Sequence, residues 1–316
     1  METNASQSGT GRVCSSDWLL IAIPGIIWGA SFLFIAEGLR SIGPIGVSFM
    51  RIVVGFLSLS FFSAARKSVD RSAWPGIGLL GVLWFAFPLS MFPFAEQRVS
   101  SAITGMLNAV TPIFVAIVAT SVARKLPSRR LLLGLFTGLA GSVLVALPSV
   151  SEGRSSGLGV ALILAASLSY GFALNLARSL QQQHGALPVI WRALGAAAIL
   201  TAPLGLRDVA RAHWTLGPLL CLLALGAFGT GIAFVLLATA SGRVGATRAS
   251  GAAFLMPPVA LLLGLLVRGE HVVLLAIVGS MLCVAGAWGI RPRLSPTPQS
   301  RRGPLVPYSE TLSVRN

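Results

Sequence analysis

The stretch AEQRVSSA at residues 95–102 recurs in altered form as ASGRVGAT at residues 240–247. The same offset of 145 positions aligns three further residues with an identical residue in the second half: Pro112 with Pro257, Gly134 with Gly279, and Gly141 with Gly286. A constant offset over nearly fifty residues is the sequence signature of an internal repeat. We therefore expect the two halves of the chain to fold alike.

Working back toward the N-terminus, the offset shortens slightly. Trp28-Gly29 matches Tyr170-Gly171 at an offset of 142, and Met50-Arg51 matches Trp191-Arg192 at an offset of 141. This change requires a difference of only a few residues in the loops. A charged residue inside an apolar run is rare, so the match between the two arginines is the part of the repeat least expected by chance.

The composition is that of a membrane protein. Hydrophobic residues make up 54% of the 316 and charged residues 10%, with a mean hydropathy of +0.82, whereas soluble domains carry about a quarter charged residues. A helix needs about 20 apolar residues to cross the hydrocarbon core, where it satisfies its own backbone polar groups. Runs of about this length occur at residues 18–37, 44–64, 73–95, 99–120, 131–148, 157–180, 188–206, 215–239, 247–267 and 271–290.

The runs divide evenly between the two copies of the repeat. The predicted organisation is an N-terminal tail at 1–17, a first repeat at 18–148, a linker at 149–156, a second repeat at 157–290 and a tail at 291–316. The last segment is rich in Pro, Ser and Arg and is predicted to be disordered. Five spans per copy force the second copy to enter the membrane from the opposite side. The sequence thus predicts an all-α membrane protein of ten transmembrane helices in two inverted five-helix repeats.

The basic residues predict the orientation. Sixteen Lys and Arg fall on the side of the N-terminus and six on the other side, and basic residues near span ends are retained in the cytoplasm. We expect both termini to be cytoplasmic, in a bacterial-type inner (plasma) membrane. Apolar runs separate the basic residues, which form no single stripe of the kind that binds nucleic acid.

The first run and the cysteines exclude some alternatives. The run that begins at Trp18 lacks a small-residue cleavage site, so we interpret it as a retained span rather than a signal peptide. Cys14, Cys221 and Cys283 have no CxxC spacing, so no metal or cofactor is expected. The expected partners are a small-molecule substrate and the lipid bilayer, and a homodimer is left open.

Four motifs occur in a characteristic order: WGASF (28–32), FMR (49–51), NAVTP (108–112) and GAAFLMPPVALLLGLLVRGE (251–270). On these motifs, the region 18–290 resembles the EamA branch of the drug/metabolite transporter superfamily. The resemblance implies a carrier whose spans one, three, four, six, eight and nine surround a central cavity. The chain departs from the family where Gly-Glu usually follows the fourth span, because residues 123–125 read Ala-Arg-Lys, whereas residues 269–270 keep Gly-Glu.

Arg51 and Arg192 are the candidates for recognising a charged substrate. Burying a guanidinium is costly unless it finds a partner or reaches the surface. Both residues are predicted to bind a carboxylate or phosphate of the substrate. In the alternative, each reaches lipid headgroups or caps backbone carbonyls and fixes the tilt of its helix.

Uncharged groups near the predicted midplane form a second set of candidates. A small amphipathic solute suits hydrogen-bonding groups set beside aromatic rings in an apolar cavity. The predicted substrate contacts are Trp28, Ser31, Phe85, Asn108, Tyr170, Asn175, Thr230 and Phe254, with Ser169 a further polar residue at this depth. Any one of the polar groups could instead make an interhelical hydrogen bond.

Prolines and glycines suggest where the helices bend and touch. Pro112 and the Pro257-Pro258 pair fall within the fourth and ninth runs, where proline kinks a helix. Symmetry-related kinks are candidate gates, and a fixed bend is the alternative. GxxxG spacings at Gly25/Gly29 and Gly134/Gly138 are interpreted as close helix packing.

The distribution of carboxylates argues against a deeply buried proton relay. Glu37, Glu96 and Glu270 lie at span ends, and no carboxylate or histidine is predicted mid-membrane; coupling through the terminal glutamates stays open. No convergent catalytic groups are present, so an enzyme is not expected. We predict a secondary transporter that exports a small organic metabolite, an amino acid or related acid, by alternating access; a lipid-headgroup flippase is the alternative, and an intramembrane enzyme comes after it.

Overall fold

The computed structural model describes residues 15–99, 101–124, 126–150, 156–268 and 273–290. Every regular element in these ranges is helical, and helices occupy all ten of the predicted apolar runs. Residues 1–14 of the predicted N-terminal tail, the predicted C-terminal tail, most of the linker and the Gly269-Glu270 pair lie outside the described residues.

The first half begins with a short 3-10 helix at Ser15–Trp18. Its α-helices are α1 (Leu19–Gly38), α2 (Pro44–Ser60), α3 (Trp74–Leu80), α4 (Phe87–Glu96), α5 (Ser101–Asn108), α6 (Thr111–Ala123) and α7 (Arg129–Val150). A stretch of π-helix at Gly81–Ala86, the first π segment, joins α3 to α4.

The second half repeats this order. Its helices are α8 (Gly157–His184), α9 (Ala186–Ala210), α10 (Leu216–Ala224), α11 (Ala233–Val244), α12 (Ala246–Ala249), α13 (Met256–Arg268) and α14 (Leu274–Gly289). The second π segment, Leu225–Ile232, joins α10 to α11, and a 3-10 segment, Ser250–Leu255, joins α12 to α13.

The chain is a multi-pass membrane protein by the length and apolarity of its helices. Among the described residues, six stretches are long and apolar enough to cross a bilayer: Leu19–Gly38, Arg71–Glu96, Gly157–His184, Ala186–Ala210, Leu216–Val244 and Ala246–Leu263. Three shorter apolar helices are Pro44–Ser60, Thr111–Ala123 and Leu274–Gly289. The count of ten spans stays a prediction.

The last helices of the two halves, α7 and α14, occupy the fifth and tenth predicted runs and pack antiparallel through glycines. A methyl group added at Gly141 would lie 2.6 Å from the carbonyl oxygen of Gly279, and one at Gly134 would lie 3.2 Å from that of Gly286. At the offset of 145, Gly141 corresponds to Gly286 and Gly134 to Gly279, so the two contacts are equivalent in the repeat. Because α7 and α14 are equivalent helices of the repeat and run in opposite directions, the two halves are inverted relative to each other.

The second helices of the halves, α2 and α9, also pack antiparallel. Gly205 lies against Phe49, and farther along α2 the ring of Phe56 stacks on Trp191 with centroids 5.2 Å apart. Trp191 Nε1 donates a hydrogen bond of 2.8 Å to Ser60 Oγ. At the other end of the pair, Asp208 Oδ2 accepts a 2.9 Å bond from the Gly46 backbone N–H. This second pair of equivalent helices gives the same inverted relation.

The remaining helices exchange partners between the halves. Helix α1 packs against α11, the 3-10 segment and α13 of the second half, and α8 packs against α4 and α6 of the first. The second π segment packs on α2, and the first packs on α9. Two buried clusters at this interface include Trp84 and Phe234 in one and Phe32 and Phe92 in the other.

The prolines predicted to kink helix interiors lie instead in first turns. Helix α5 ends at Asn108 and α6 begins at Thr111, so Pro112 is in the first turn of α6. Pro257 and Pro258 follow the first residue of α13 in the same way. Proline is tolerated there because the first-turn N–H groups have no intrahelical acceptor. The helix interruption precedes each proline, and a gating role stays a prediction.

Candidate substrate cavity

A cavity of about 50 Å³ lies between the two halves. Both halves contribute to its wall: Trp28, Ser31, Phe32, Ile35, Arg51, Trp84, Phe92, Asn108, Thr111, Tyr170, Leu174, Phe234, Leu237, Ser250, Ala253 and Met256. These residues come from the predicted spans one, three, four, six, eight and nine, as the family resemblance implies, and Arg51 adds span two. The volume accommodates a few water molecules, so a metabolite requires the helices to move apart.

Arg51 is the charged side chain in this wall. It is 3% exposed, and its Nε donates a 3.0 Å hydrogen bond to Thr230 Oγ1 in the second π segment. Thr230 Oγ1 in turn donates to the Leu225 carbonyl at 3.1 Å. Such burial excludes the alternative in which Arg51 reaches the membrane surface.

The guanidinium of Arg51 retains most of its hydrogen-bonding capacity. A guanidinium carries five N–H donors, and within the described part of the chain only the Nε–H of Arg51 has an acceptor. The charge also interacts with Glu96, the last residue of α4, and with Tyr170. The two terminal nitrogens are therefore available for a ligand that carries negative charge.

Arg192, predicted to pair with Arg51 in substrate binding, lies outside the cavity wall. Its Nη2 donates a 2.8 Å hydrogen bond to the Lys67 carbonyl, and its Nη1 donates to the carbonyls of Ala65 and Pro188 at 3.2 and 3.1 Å. The guanidinium also lies 5.5 Å from the ring centroid of Trp191. These contacts hold the connection after α2 against α9, which is the alternative the sequence left open.

The two arginines are equivalent in the repeat but have different hydrogen-bond acceptors. Thr230 accepts the bond from Arg51, and the repeat offset of 145 places Phe85 at the equivalent position in the first half. A phenyl ring offers no hydrogen-bond acceptor in place of the hydroxyl. The acceptors of Arg192 are backbone carbonyls of the connection after α2 and of Pro188 near the start of α9.

Aromatic rings form two groups beside the cavity. Phe234 meets the rings of Trp28 and Trp84 edge to face, with centroids 5.0 and 5.2 Å apart. Trp28 Nε1 donates a 2.7 Å hydrogen bond to the Gly229 carbonyl, which fixes its ring against the second π segment. Phe92 contacts Tyr170 at 5.9 Å with an interplanar angle of 30°.

The uncharged polar residues of the wall mostly bond to other protein groups. Asn108, at the break between α5 and α6, donates through Nδ2 to the Met256 sulfur at 3.3 Å. Its Oδ1 accepts a bond of 3.1 Å from Thr111 and one of 3.4 Å from Ser167. Ser31 Oγ donates to the Ile27 carbonyl at 3.1 Å. These bonds fix the interrupted helices around the cavity.

Of the predicted contacts, Trp28, Ser31, Arg51, Asn108 and Tyr170 line the cavity, and the others are not part of its wall. A ligand role for the residues in the wall stays a prediction. The remaining predicted contacts are Phe85, Asn175, Arg192, Thr230 and Phe254.

Packing and hydrogen bonds account for most of the predicted residues that are outside the wall. Phe85 is fully buried against Phe234, with centroids 4.8 Å apart. Asn175 donates to the carbonyl of Val115 at 3.2 Å and to that of Gly171 at 2.8 Å. Phe254 packs on Gly138 of α7 in a separate buried cluster. Thr230 is fully buried and accepts the hydrogen bond from Arg51.

Most of the apolar wall was missed from the sequence. Phe32, Trp84, Phe92 and Phe234 lie in the wall, yet in an apolar run such residues resemble those that face lipid. The available signal was spacing, because Phe32 is one helical turn from Trp28 on α1.

Comparisons with known proteins identify the family. The EamA-like transporter family matches residues 17–147 and again residues 157–291. The chain therefore belongs to the EamA-like transporter family, whose two repeats correspond to its two halves.

Several relatives span almost the same length. The uncharacterized transporters YoaV and YdfC of Bacillus subtilis are each 26% identical, over 83% and 82% of this chain and 91% and 86% of their own length. A probable terminal-alkyne amino-acid exporter of Streptantibioticus cattleyicolor is 24% identical over 89% of this chain and 95% of its own. One crystal structure has the same fold, with a TM-score of 0.69 and 17% identity over 88% of this chain and 96% of that chain.

Proposed function

We propose that the protein is a secondary transporter that exports a small organic metabolite, an amino acid or related acid, by alternating access. The observation that carries this proposal is the buried guanidinium of Arg51, with unused donors, in a cavity between two inverted halves. An ionisable group inside a membrane protein marks a substrate or ion pathway. The name of the Streptantibioticus relative, a probable amino-acid exporter, supports the same class of substrate.

Alternating access follows from the inverted relation of the halves. If the halves rock about the central cavity, the motion that opens it on one side closes it on the other. The two π segments and the interruptions at residues 109–110 and 250–255 are suited to such movement, because irregular helical turns are common hinges. All four lie at or next to the cavity wall.

Export of an anion needs little further coupling. An inside-negative membrane potential drives an anion outward with about 2.3 kcal/mol per charge per 100 mV. The excess of Lys and Arg on the N-terminal side supports cytoplasmic termini in a bacterial-type inner membrane. The transporter would then release acids from the cytoplasm.

Transport in sealed vesicles tests the proposal. Metabolites that accumulate in the medium only when cells contain the protein identify candidate substrates, which are then supplied in labelled form to proteoliposomes. We expect wild-type protein to equilibrate the label across the membrane. Lipid sidedness that changes without movement of any soluble solute would instead indicate a flippase.

The chain supplies a matched control for the role of Arg51. Arg51→Gln removes the charge in the cavity, while Arg192→Gln removes the equivalent charge that lies outside it. We expect Arg51→Gln to insert normally and lose transport, and Arg192→Gln to keep it. Equal transport by wild type and Arg51→Gln would contradict recognition of an anion in this cavity.

A further inference from the structure

The charges around the cavity are unbalanced in a way that bears on the substrate. Arg51 lines the wall, and the described residues of the wall include no Asp or Glu. We propose that the cavity selects a monoanionic carboxylic acid with a flat apolar body and discriminates against the corresponding amino acid, which carries an ammonium group as well. This inference rests on the proposed function and narrows its substrate class.

The carboxylate has a defined partner in this arrangement. The Nε–H of Arg51 is held by Thr230 at 3.0 Å, so the guanidinium is fixed in orientation while its terminal nitrogens stay unused by the described residues. Two parallel N–H groups match the two oxygens of a carboxylate. Residue 51 therefore presents a preorganised site for one negative charge.

An ammonium group has no comparable partner. The hydroxyls of Ser31 and Ser250 donate to the carbonyls of Ile27 and Thr247 at 3.1 and 2.8 Å. Their oxygen lone pairs can accept a hydrogen bond but cannot neutralise a full positive charge. In a wall of low polarity, a second cation beside Arg51 is unfavourable because its desolvation is not compensated.

Glu96 does not supply the missing charge within the cavity. Its carboxylate interacts electrostatically with Arg51, but Glu96 is at the end of α4 and is not part of the wall. It offsets part of the positive charge from outside the cavity. Within the wall itself, the guanidinium is the charged group that a ligand would contact.

The rest of the wall suits a flat apolar body rather than a cation held on ring faces. Trp28 and Trp84 meet Phe234 at interplanar angles of 69° and 72°, so these rings use their faces and edges on each other. Phe92 and Tyr170 add a second aromatic surface with their planes 30° apart. A planar hydrocarbon group can insert between such surfaces once the cavity opens.

Three probes of one skeleton test the proposal with purified full-length protein. 3-Phenylpropionate carries only the carboxylate, L-phenylalanine carries both charges, and phenethylamine carries only the ammonium. Binding to detergent-solubilised protein is measured for wild type, Arg51→Gln and Arg192→Gln. We expect 3-phenylpropionate to bind wild type about tenfold or more tightly than either amine, Arg51→Gln to lose this preference, and Arg192→Gln to keep it.

Binding and transport are scored separately, so that the two proposals can fail independently. Equal or tighter binding of L-phenylalanine, an unchanged preference in Arg51→Gln, or no binding of any probe would overturn the selection of monoanions. If 3-phenylpropionate binds through Arg51 but labelled acid does not cross proteoliposomes, the selection stands and the carrier function fails. If amino acids are transported and preferred, the carrier stands and the selection is wrong.

Discussion

The contact between α7 and α14 predicts how sensitive the fold is to a single methyl group. A Cβ added at Gly141 would lie 2.6 Å from the Gly279 carbonyl oxygen, and one at Gly279 would lie 2.7 Å from that of Gly141. Ordinary contacts of this kind begin at 3.4 Å, and the shortest approach of a Cβ at Gly141 is 2.5 Å, to the Cys283 backbone nitrogen, so the helices would have to separate by up to about 0.9 Å at this point. Overpacking of this kind costs about 1–3 kcal/mol.

Thermal unfolding of purified protein in detergent, followed by tryptophan fluorescence, measures this effect. Gly141→Ala and Gly279→Ala are each expected to lower Tm, by about 2–4 °C for every kcal/mol lost. Gly78→Ala is the matched control, because Gly78 is also helical but has no neighbour within 4 Å of the added carbon. Gly141→Ala protein as stable as the Gly78→Ala control would refute the close approach.

Two further predictions concern residues next to the cavity and at the start of α1. Thr230→Val removes the hydroxyl that accepts the 3.0 Å bond from Arg51. We expect this variant to insert normally and to bind 3-phenylpropionate more weakly in a titration. Unchanged affinity would show that Thr230 does not orient the guanidinium. Asp17→Asn weakens the 3.1 Å ion pair with Arg243. Because Arg243 is 56% exposed, solvent screening should limit the loss in free energy of unfolding to about 1 kcal/mol. An unchanged Tm would show that this ion pair does not stabilise the fold.

The sequence predicted those parts of the fold that depend on repeated residue types. Gly141 and Gly279 are paired with their counterparts at a constant offset because both halves need a close approach at the same place. The helices follow from apolar run length, since backbone groups in a membrane must bond within the helix. The inversion followed from an odd number of runs per half.

The irregular segments could not be predicted in the same way. A π segment contains the same kinds of residue as the α-helix around it, and Gly81–Ala86 and Leu225–Ile232 carry no distinctive sequence mark. Their first residues differ by 144 positions and their last by 146, close to the repeat offset of 145, but that relation is visible only once the segments are known.

The sequence predicted only part of the candidate site, because the rest depends on packing between the halves. The sequence identified Arg51 and Arg192 as equivalents, whereas Arg51 bonds to Thr230 in the other half and Arg192 bonds to backbone carbonyls near residues 65–67. These contacts join residues 125 to 179 positions apart and break the symmetry of the repeat. The residues of one half alone therefore do not show that the cavity contains Arg51 and not Arg192.

The inverted relation of the halves is the claim on which the cavity and its alternating access depend. Reporter domains fused after Leu147, near the end of α7, and after Ile290, just beyond α14, measure it directly through their sidedness in cells. The account predicts that the two reporters lie on opposite sides of the membrane, with the second in the cytoplasm. Reporters on the same side would contradict it.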